Sequence, residues 1–319
     1  MSGLPPSLKD AIARYSDGVS GREQAERAAK LSVAYRAGAS SAGQVASSAD
    51  VAAYLTARLP ATYAAIAAAL EQVRRRAPDF APKSVLDFGA GPGGASWAAS
   101  EIWTGIESVT MLDQNPYFLS AAAELAKSSS HAALRNAQIS SLWAGGTHYD
   151  LVLAGYVFSE LPSGSVEVTA SRLWDACSGV LVIVEPGTPR GYARMLRCRE
   201  VLRAANAQLA APCPGNYPCP IVPDDWCHFA VRLPRSRDHM RAKGATVPFE
   251  DEKFSYVAAA REAVVLAPSA PRILAQPHAG KAGIRLKLCA EGKITDADIP
   301  RRNKAEYKRV VRKKWGDTV

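Results

Sequence analysis

The sequence predicts an α/β fold of the Rossmann-like kind, and three observations carry that prediction. The first is Ser84 to Trp97, SVLDFGAGPGGASW, where an apolar strand runs into Gly89, Gly91, Gly93 and Gly94 and then into a helix. Strand, glycine-rich turn and helix make the first half of a nucleotide-binding βαβ unit. The second is Asp113, which ends the next apolar strand, Val109 to Leu112, about 20 residues past the turn, where a ribose diol is held in such folds. The third is the run of apolar, β-branched strands separated by helices, the pattern of a parallel sheet covered on both faces.

The glycines have a physical role. Without Cβ atoms, the backbone can turn sharply and lie against a ligand. The helix start behind them offers unpaired N–H groups and the positive end of a dipole. A tight connection without any ligand would use the same residues. The acid leading the loop, Asp87, gives the spacing D-x-G-x-G-x-G. That spacing looks like the S-adenosylmethionine (SAM) version of the turn more than the dinucleotide version.

The elements follow in order. Residues 6 to 80 are Ala-rich with helical periodicity, broken near Gly38 to Gly43 and at Pro60, and read as an N-terminal helical cap over residues 1–80. Nothing there looks catalytic. Residues 81–300 read as the main domain. Its strands are Val85–Phe88, Val109–Leu112, a weak one near Leu134–Ile139, Tyr149–Ala154 and Gly179–Val184. Helices cover Ala95–Ile102, Phe118–Ser128, Val166–Ala176 and Gly191–Leu209. The carboxyl ends of the strands collect Gly89–Gly94, Asp113, Ala154–Tyr156 and Glu185–Gly187, so a ligand is expected at that edge. Arg190, Arg194 and Arg197 share a helical face and suggest a phosphate-contacting stripe. Phe254–Ala258 and Gly283–Leu288 are the last strands. Glu291-Gly292 turns a hairpin between Arg285–Ala290 and Lys293–Ile299. A basic helix over Asn303–Trp315 closes the chain, in a C-terminal segment 301–319.

Composition sets limits. The chain has 319 residues and is 48% hydrophobic, enough for a substantial core. No apolar run approaches the ~20 residues needed to span a bilayer, so no membrane association is expected. The N-terminus does not resemble a secretory signal, and a cytoplasmic location follows as the expectation. The net charge of +9 suits a polyanionic partner. Arg301, Arg302, Lys304, Lys308, Arg309, Arg312, Lys313 and Lys314 face only Glu306 and Asp317 in the last stretch.

Six cysteines without a secretory signal argue against a disulfide scaffold. Cys213, Cys219 and Cys227 fall within fifteen residues of the Pro-rich segment 211–234, with Cys289 as a plausible fourth. Cys177 and Cys198 sit on helices and read as small core residues. A loop this long and irregular calls for a cross-link. Zinc would accept the four thiolates, or three with His228. An iron–sulfur cluster would accept four. Ala211-Pro-Cys213 is similar to the Pro-Cys motif of cytosine-C5 RNA methyltransferases, but that nucleophile follows the fourth strand and Cys213 follows the fifth. Nucleophilic catalysis by Cys213 is therefore not expected.

Taken together, LDFGAGPGGASWAA, YDLVLAGYVFSELP, VIVEPGTPRGY, CPGNYPCPIVPDDWCHF, EDEKFSYV and the closing Trp315-Gly316-Asp317 resemble the methyltransferase-like family of small-ribosomal-subunit proteins of mitochondria and many bacteria. The resemblance covers nearly the whole chain. It implies a SAM-dependent methyltransferase fold with a helical cap, a Cys-rich insertion, and a C-terminal hairpin plus basic helix. It implies a role with small-subunit rRNA and the ribosomal small subunit in assembly or translation, as a monomer. It also implies a 4Fe-4S cluster on Cys213, Cys219, Cys227 and Cys289, with methyl transfer lost in some members. An active SAM-dependent rRNA methyltransferase is the alternative. SAM is then expected on Asp87, Gly89, Gly91, Gly93 and Asp113, with Tyr156 and Glu160 edging the acceptor pocket. There are departures from the family pattern. Gly215 stands where mitochondrial members often carry His, and Ser140 and Ser141 occupy the region of the usual adenine-reading acid. Ala154-Gly155-Tyr156 replaces an Asn-Pro-Pro-Tyr-type acceptor motif.

Overall fold

A computed structural model describes residues 3–37, 43–143 and 145–319. The chain opens with four helices, α1 (Pro6–Tyr15), α2 (Gly21–Ala37), α3 (Ser48–Ala57) and α4 (Leu59–Arg76). The start of α3 is fixed by Ser47, whose Oγ accepts the Asp50 N–H, a side-chain N-cap. The break expected at Pro60 is present: α3 ends at Ala57, α4 starts at Leu59, and Pro60 lies in its first turn, where its missing N–H costs nothing. The break expected at Gly38–Gly43 lies, apart from Gly43, outside the described residues.

The α/β part follows as β1 (Ser84–Phe88), α5 (Gly94–Ile102), β2 (Ser108–Leu112), α6 (Pro116–Ala126), α7 (Ala132–Arg135), β3 (Gln138–Ser140), β4 (Tyr149–Gly155), α8 (Val166–Asp175), β5 (Cys177–Pro186) and α9 (Pro189–Ala204). β6 (Gln208–Ala211), β7 (Phe229–Pro234), α10 (Arg237–Ala242) and β8 (Phe249–Ala260) complete it. The sheet runs β3-β2-β1-β4-β5-β8-β6, with β7 also pairing β8. Strands β1 to β5 are mutually parallel, and β8 is antiparallel to β5. The order reverses between β1 and β4, which creates the crevice where ligands bind in open α/β sheets. This is the Rossmann-like methyltransferase fold.

The core explains the pattern. Val85, Leu86, Leu151, Val152, Leu153, Val180, Leu181, Val182 and Ile183 are all buried, as both faces of a helix-covered parallel sheet require. Helix α4 packs its Ala-rich face onto this sheet, with Tyr63, Ala65, Ile66, Ala69 and Leu70 buried. The cap is therefore part of the same core.

Several elements differ from expectation. The weak strand at Leu134–Ile139 splits into α7 and the three-residue β3. The helix expected to reach Leu209 stops at Ala204; Asn206 takes a positive φ of 57° and β6 follows. The segment 211–234 is not wholly loop, since its end forms β7 against the charged half of β8.

A second, four-stranded sheet comprises β9 (Arg272–Ile273), β10 (His278–Ala279), β11 (Gly283–Ala290) and β12 (Lys293–Pro300), and α11 (Lys304–Val310) packs on it. The hairpin expected at Glu291-Gly292 is present, with both residues at positive φ (48° and 72°). The basic helix is shorter than expected, covering Lys304–Val310 within 303–315. Among the described residues, no helix is long and apolar enough to cross a membrane.

Candidate functional site: a cofactor cleft and a cysteine cavity

A cavity of about 320 Å³ opens at the carboxyl edge of the sheet, at the crevice between β1 and β4. The glycine turn forms its floor. Gly89 has a φ of +68°, and a Cβ there would come within 2.3 Å of Val157 Cγ2. Gly93, at +88°, caps α5 in the left-handed region. Only glycine meets both demands without strain.

The two acids are tied to the turn. Asp113 Oδ2 accepts the Gly91 N–H at 2.8 Å and Oδ1 accepts the Asn115 N–H at 2.8 Å. Its carboxylate thus clamps the glycine turn to the start of α6 while lining the cavity. Burial raises its pKa against the pull of these backbone donors. Asp87 is buried, and its Oδ2 accepts both the N–H (2.9 Å) and the hydroxyl (2.8 Å) of Ser96. Asp87 therefore holds the first turn of α5, and burial pushes its pKa up to about 6.

Tyr156 and Glu160 both line the cavity, as expected of its edge. Tyr156 has a positive φ of 63°, costly for an aromatic residue. Neighbours hold it there. Its hydroxyl donates to Glu252 Oε1 at 2.9 Å, and Arg58 bridges to Glu252 at 3.1 Å while covering the Tyr156 ring at 4.9 Å. Arg58 comes from the cap and Glu252 from β8, so three parts of the chain meet on this residue.

Sequence reasoning missed one feature of the cleft. Tyr54, Leu59, Thr62 and Ile66 of the cap line it, so the cap is its roof and not an inert lid. Gly94 and Gly155 are the trace of that contact: a Cβ on either would come within 2.7 Å of Leu59 or 2.6 Å of Ile66. At the same edge of the sheet, where the sequence placed it, Glu185 at the end of β5 is fully buried. Its Oε1 accepts the Phe158 N–H at 3.0 Å, while Oε2 has no partner. Burial pushes its pKa up to about 8.

The stripe expected on α9 is only partly free. Arg197 is committed to Glu167 and to Ser163, at 3.2 Å from its Oγ.

A second cavity lies where β6, the loop after it and β11 converge. Cys213, Cys219, Cys227 and Cys289 all line it. Cys177 and Cys198 are buried elsewhere, as expected of core thiols. Tyr192 Oη lies 3.3 Å from Cys219 Sγ, and Arg199 Nε donates to Cys213 Sγ at 3.4 Å. Burial raises the pKa of Cys213, and the neighbouring arginine opposes the rise. Burial first, and the other thiols next, raise Cys227 well above and Cys289 to about 11. His228 does not line this cavity; its ring stacks on Trp226 at 5.2 Å and meets Trp315 edge-on at 4.8 Å. That removes the arrangement of three thiolates with His228. Among the described residues, no three His, Cys, Asp or Glu side chains form a group that could hold a single metal ion. The convergence of four thiols is a fact of the fold; a bound zinc or cluster is not.

Fold and site together define a methyltransferase-fold protein with a roofed cleft at the carboxyl edge of its sheet and a separate thiol-lined cavity. Residues 48–319 match the family described as "Mitochondrial small ribosomal subunit Rsm22", and the chain belongs to that family. It is 28% identical over 293 residues to the human "Ribosome assembly protein METTL17, mitochondrial", covering 83% of this chain and 61% of that protein. It is 26% identical over 321 residues to the Rsm22-cox11 tandem protein 2, mitochondrial, of Schizosaccharomyces pombe, covering 84% of this chain and 43% of that one. The chain thus spans less than two thirds of the length of these relatives. Among solved structures, it is similar to magnesium protoporphyrin IX methyltransferase of Synechocystis with bound SAM. There the identity is 13% and the TM-score 0.40, over 64% of this chain and 79% of that one. It is also similar to a precorrin-6y C5,15-methyltransferase of Geobacter metallireducens, with 17% identity and a TM-score of 0.40 over 62% and 86%. The relatives are mitochondrial by name, which overturns the cytoplasmic location expected from the sequence.

Proposed function

We propose that this chain is a small-ribosomal-subunit assembly factor that binds rRNA as a monomer through its basic C-terminal region. The observation that carries the rRNA reading is the state of that region's charges. Arg301, Arg302, Lys304, Lys308, Arg309, Arg312 and Lys314 are exposed, and none of their side chains pairs with an acid among the described residues. The two nearby acids are engaged elsewhere: Glu306 accepts from Asn303, and Asp317 lies 3.9 Å from Arg75. Unpaired cations at this density suit phosphates, with salt-dependent and largely sequence-independent affinity.

The cleft is assigned to S-adenosylmethionine on Asp87, Gly89, Gly91, Gly93 and Asp113, with Asp87 acting through its hold on Ser96 at the start of α5. Its size, the left-handed glycines and the half-buried acid after β2 fit that ligand. When bound, the ligand supplies an electrophilic methyl group. The chain's own contribution is to hold the turn rigid through Asp113 and to keep water from the cleft with Leu59 and Ile66. The acceptor side offers Tyr156, whose hydroxyl already donates to Glu252. That favours a binding role over methyl transfer.

The cysteine cavity is assigned to a 4Fe-4S cluster on Cys213, Cys219, Cys227 and Cys289. What supports this reading is that four thiols distant along the chain line one cavity, the donor set that such a cluster takes.

The test compares wild type with Asp113→Ala for small-subunit assembly on gradients and for rRNA methylation. Assembly that depends on the chain, with no modified nucleotide lost, is the expected result. Loss of one methylated nucleotide with assembly intact would establish an rRNA methyltransferase instead.

A further inference from the structure

Two arginines beside the cysteine cavity are almost completely buried: Arg199 on α9 is 3% exposed and Arg272 at the start of β9 is 4% exposed. Both line the cavity together with the four thiols. Arg199 donates to Cys213 Sγ at 3.4 Å, and its remaining nitrogens reach the Tyr217 carbonyl and Glu200. Glu200 is shared with Arg203 and is partly solvated. Arg272 donates to the Pro212 carbonyl at 2.9 Å, and to Gln72 Oε1 and the Gly316 carbonyl at 2.6 Å each. All three acceptors are neutral. Among the described residues, Arg272 makes no ion pair, and β-pairing places it directly opposite Cys289. A third guanidinium, Arg76, is close enough that, after burial, the Arg272 charge further lowers its pKa.

A buried guanidinium is costly unless an anion stands near it. Among the described residues, the cavity brings two cations beside the four sulfurs and, apart from the half-exposed Glu200, no acidic side chain. With four thiolates the balance reverses, because four negative sulfurs face two positive side chains. Hydrogen bonding to the sulfurs and local charge are also what set the retention and potential of thiolate-bound centres.

We propose that Arg199 and Arg272 are charge-balancing residues for an anionic four-thiolate centre, Arg199 through its contact with Cys213 and Arg272 through its unpaired charge beside Cys289. This rests on the reading that the four cysteines carry a metal centre. A purely structural part for Arg272, tying α4, the cysteine loop and the C-terminal segment together, is the competing account.

The experiment uses the full chain purified without oxygen, as wild type, Arg199→Gln, Arg199→Lys and Arg272→Gln. Folding is checked by far-ultraviolet circular dichroism. Iron, sulfide and zinc are counted per chain, metal release to a chelator is timed, and the midpoint potential is titrated where iron is present. Both Gln variants are expected to fold and to release metal at least tenfold faster than wild type. Their oxidised centre should be favoured over the reduced one by at least tenfold, about 59 mV more negative for a one-electron couple. Arg199→Lys, which keeps the charge, is expected to stay within threefold of wild type. Should Arg272→Gln not fold, Arg199→Gln decides alone. Gln variants that keep wild-type release rates and potential overturn the proposal while leaving the metal centre standing. Equal losses in Arg199→Gln and Arg199→Lys overturn it too, because then guanidinium geometry and not charge is at work. A wild-type chain without iron or zinc overturns the metal reading and this inference with it.

Discussion

Replacing Glu185 with Gln removes the most strongly perturbed acid in the cleft region while keeping its shape. The carboxyl lies at the end of β5 with no exposed surface, one oxygen on the Phe158 N–H and the other without a partner. Burial lifts its pKa from 4.5 to about 8. An acid with a raised folded pKa leaves stability intact below its unfolded pKa. It then costs stability as pH climbs, because the unfolded chain ionises first. The loss therefore accumulates between about pH 4.5 and pH 8 and levels off above. At about 1.36 kcal/mol per unit, the window corresponds to roughly 5 kcal/mol. The amide leaves its NH2 without an acceptor, a cost of about 1–3 kcal/mol at every pH. The variant is thus expected to be less stable than wild type at pH 5 and about 2–4 kcal/mol more stable at pH 8. Urea denaturation at the two pH values, with the variant as its own control, reads this directly. Wild-type and variant curves that stay parallel from pH 5 to pH 8 would refute the reasoning, since they would mean that Glu185 ionises as readily folded as unfolded.

Three further predictions follow from the cleft and the C-terminal segment. Gly89→Ala places a Cβ 2.3 Å from Val157 at a φ of +68°, so binding of S-adenosylmethionine by isothermal calorimetry should be lost. The left-handed backbone alone should remove about 1–2 kcal/mol of stability. Tyr156→Phe deletes the 2.9 Å bond to Glu252 and should cost about 1–3 kcal/mol in chemical denaturation, while Arg58 still satisfies the carboxylate. Changing Lys304, Lys308 and Arg312 together to Gln should weaken binding to small-subunit rRNA and lower the slope of log K against log salt by about 2–3. Its circular dichroism should not change, because all three side chains are exposed.

Much of this fold was legible because its signals are local. The glycine turn, Asp113 and the Glu291-Gly292 hairpin are set by backbone demands that a few adjacent residues declare. The four cysteines stood out in the sequence, and the fold brings them to one cavity. What was not legible depends on partners far along the chain. Strand β7 hides behind Pro and Cys residues, and only pairing with the charged half of β8 makes Phe229–Pro234 a strand. Arg199 sits among the arginines of α9 and differs only in being turned inward. Glu185 was legible as an acid at the strand edge, but its complete burial and its bond to the Phe158 N–H were not. Asp87 fits the motif for a ligand-facing acid, yet its carboxylate is spent on Ser96. The cap looked inert because an Ala-rich helix announces packing but not which residue roofs a cleft. Cellular location left no local trace at all, and the relatives supplied the correction.

That the basic C-terminal segment carries this chain onto small-subunit rRNA is tested most directly by crosslinking the full-length chain to assembling small subunits and mapping the attached peptides. Crosslinks to small-subunit rRNA concentrated between Arg301 and Lys314 are the predicted result. A chain that co-sediments with no small-subunit particle and crosslinks to no rRNA through that segment would contradict the assignment.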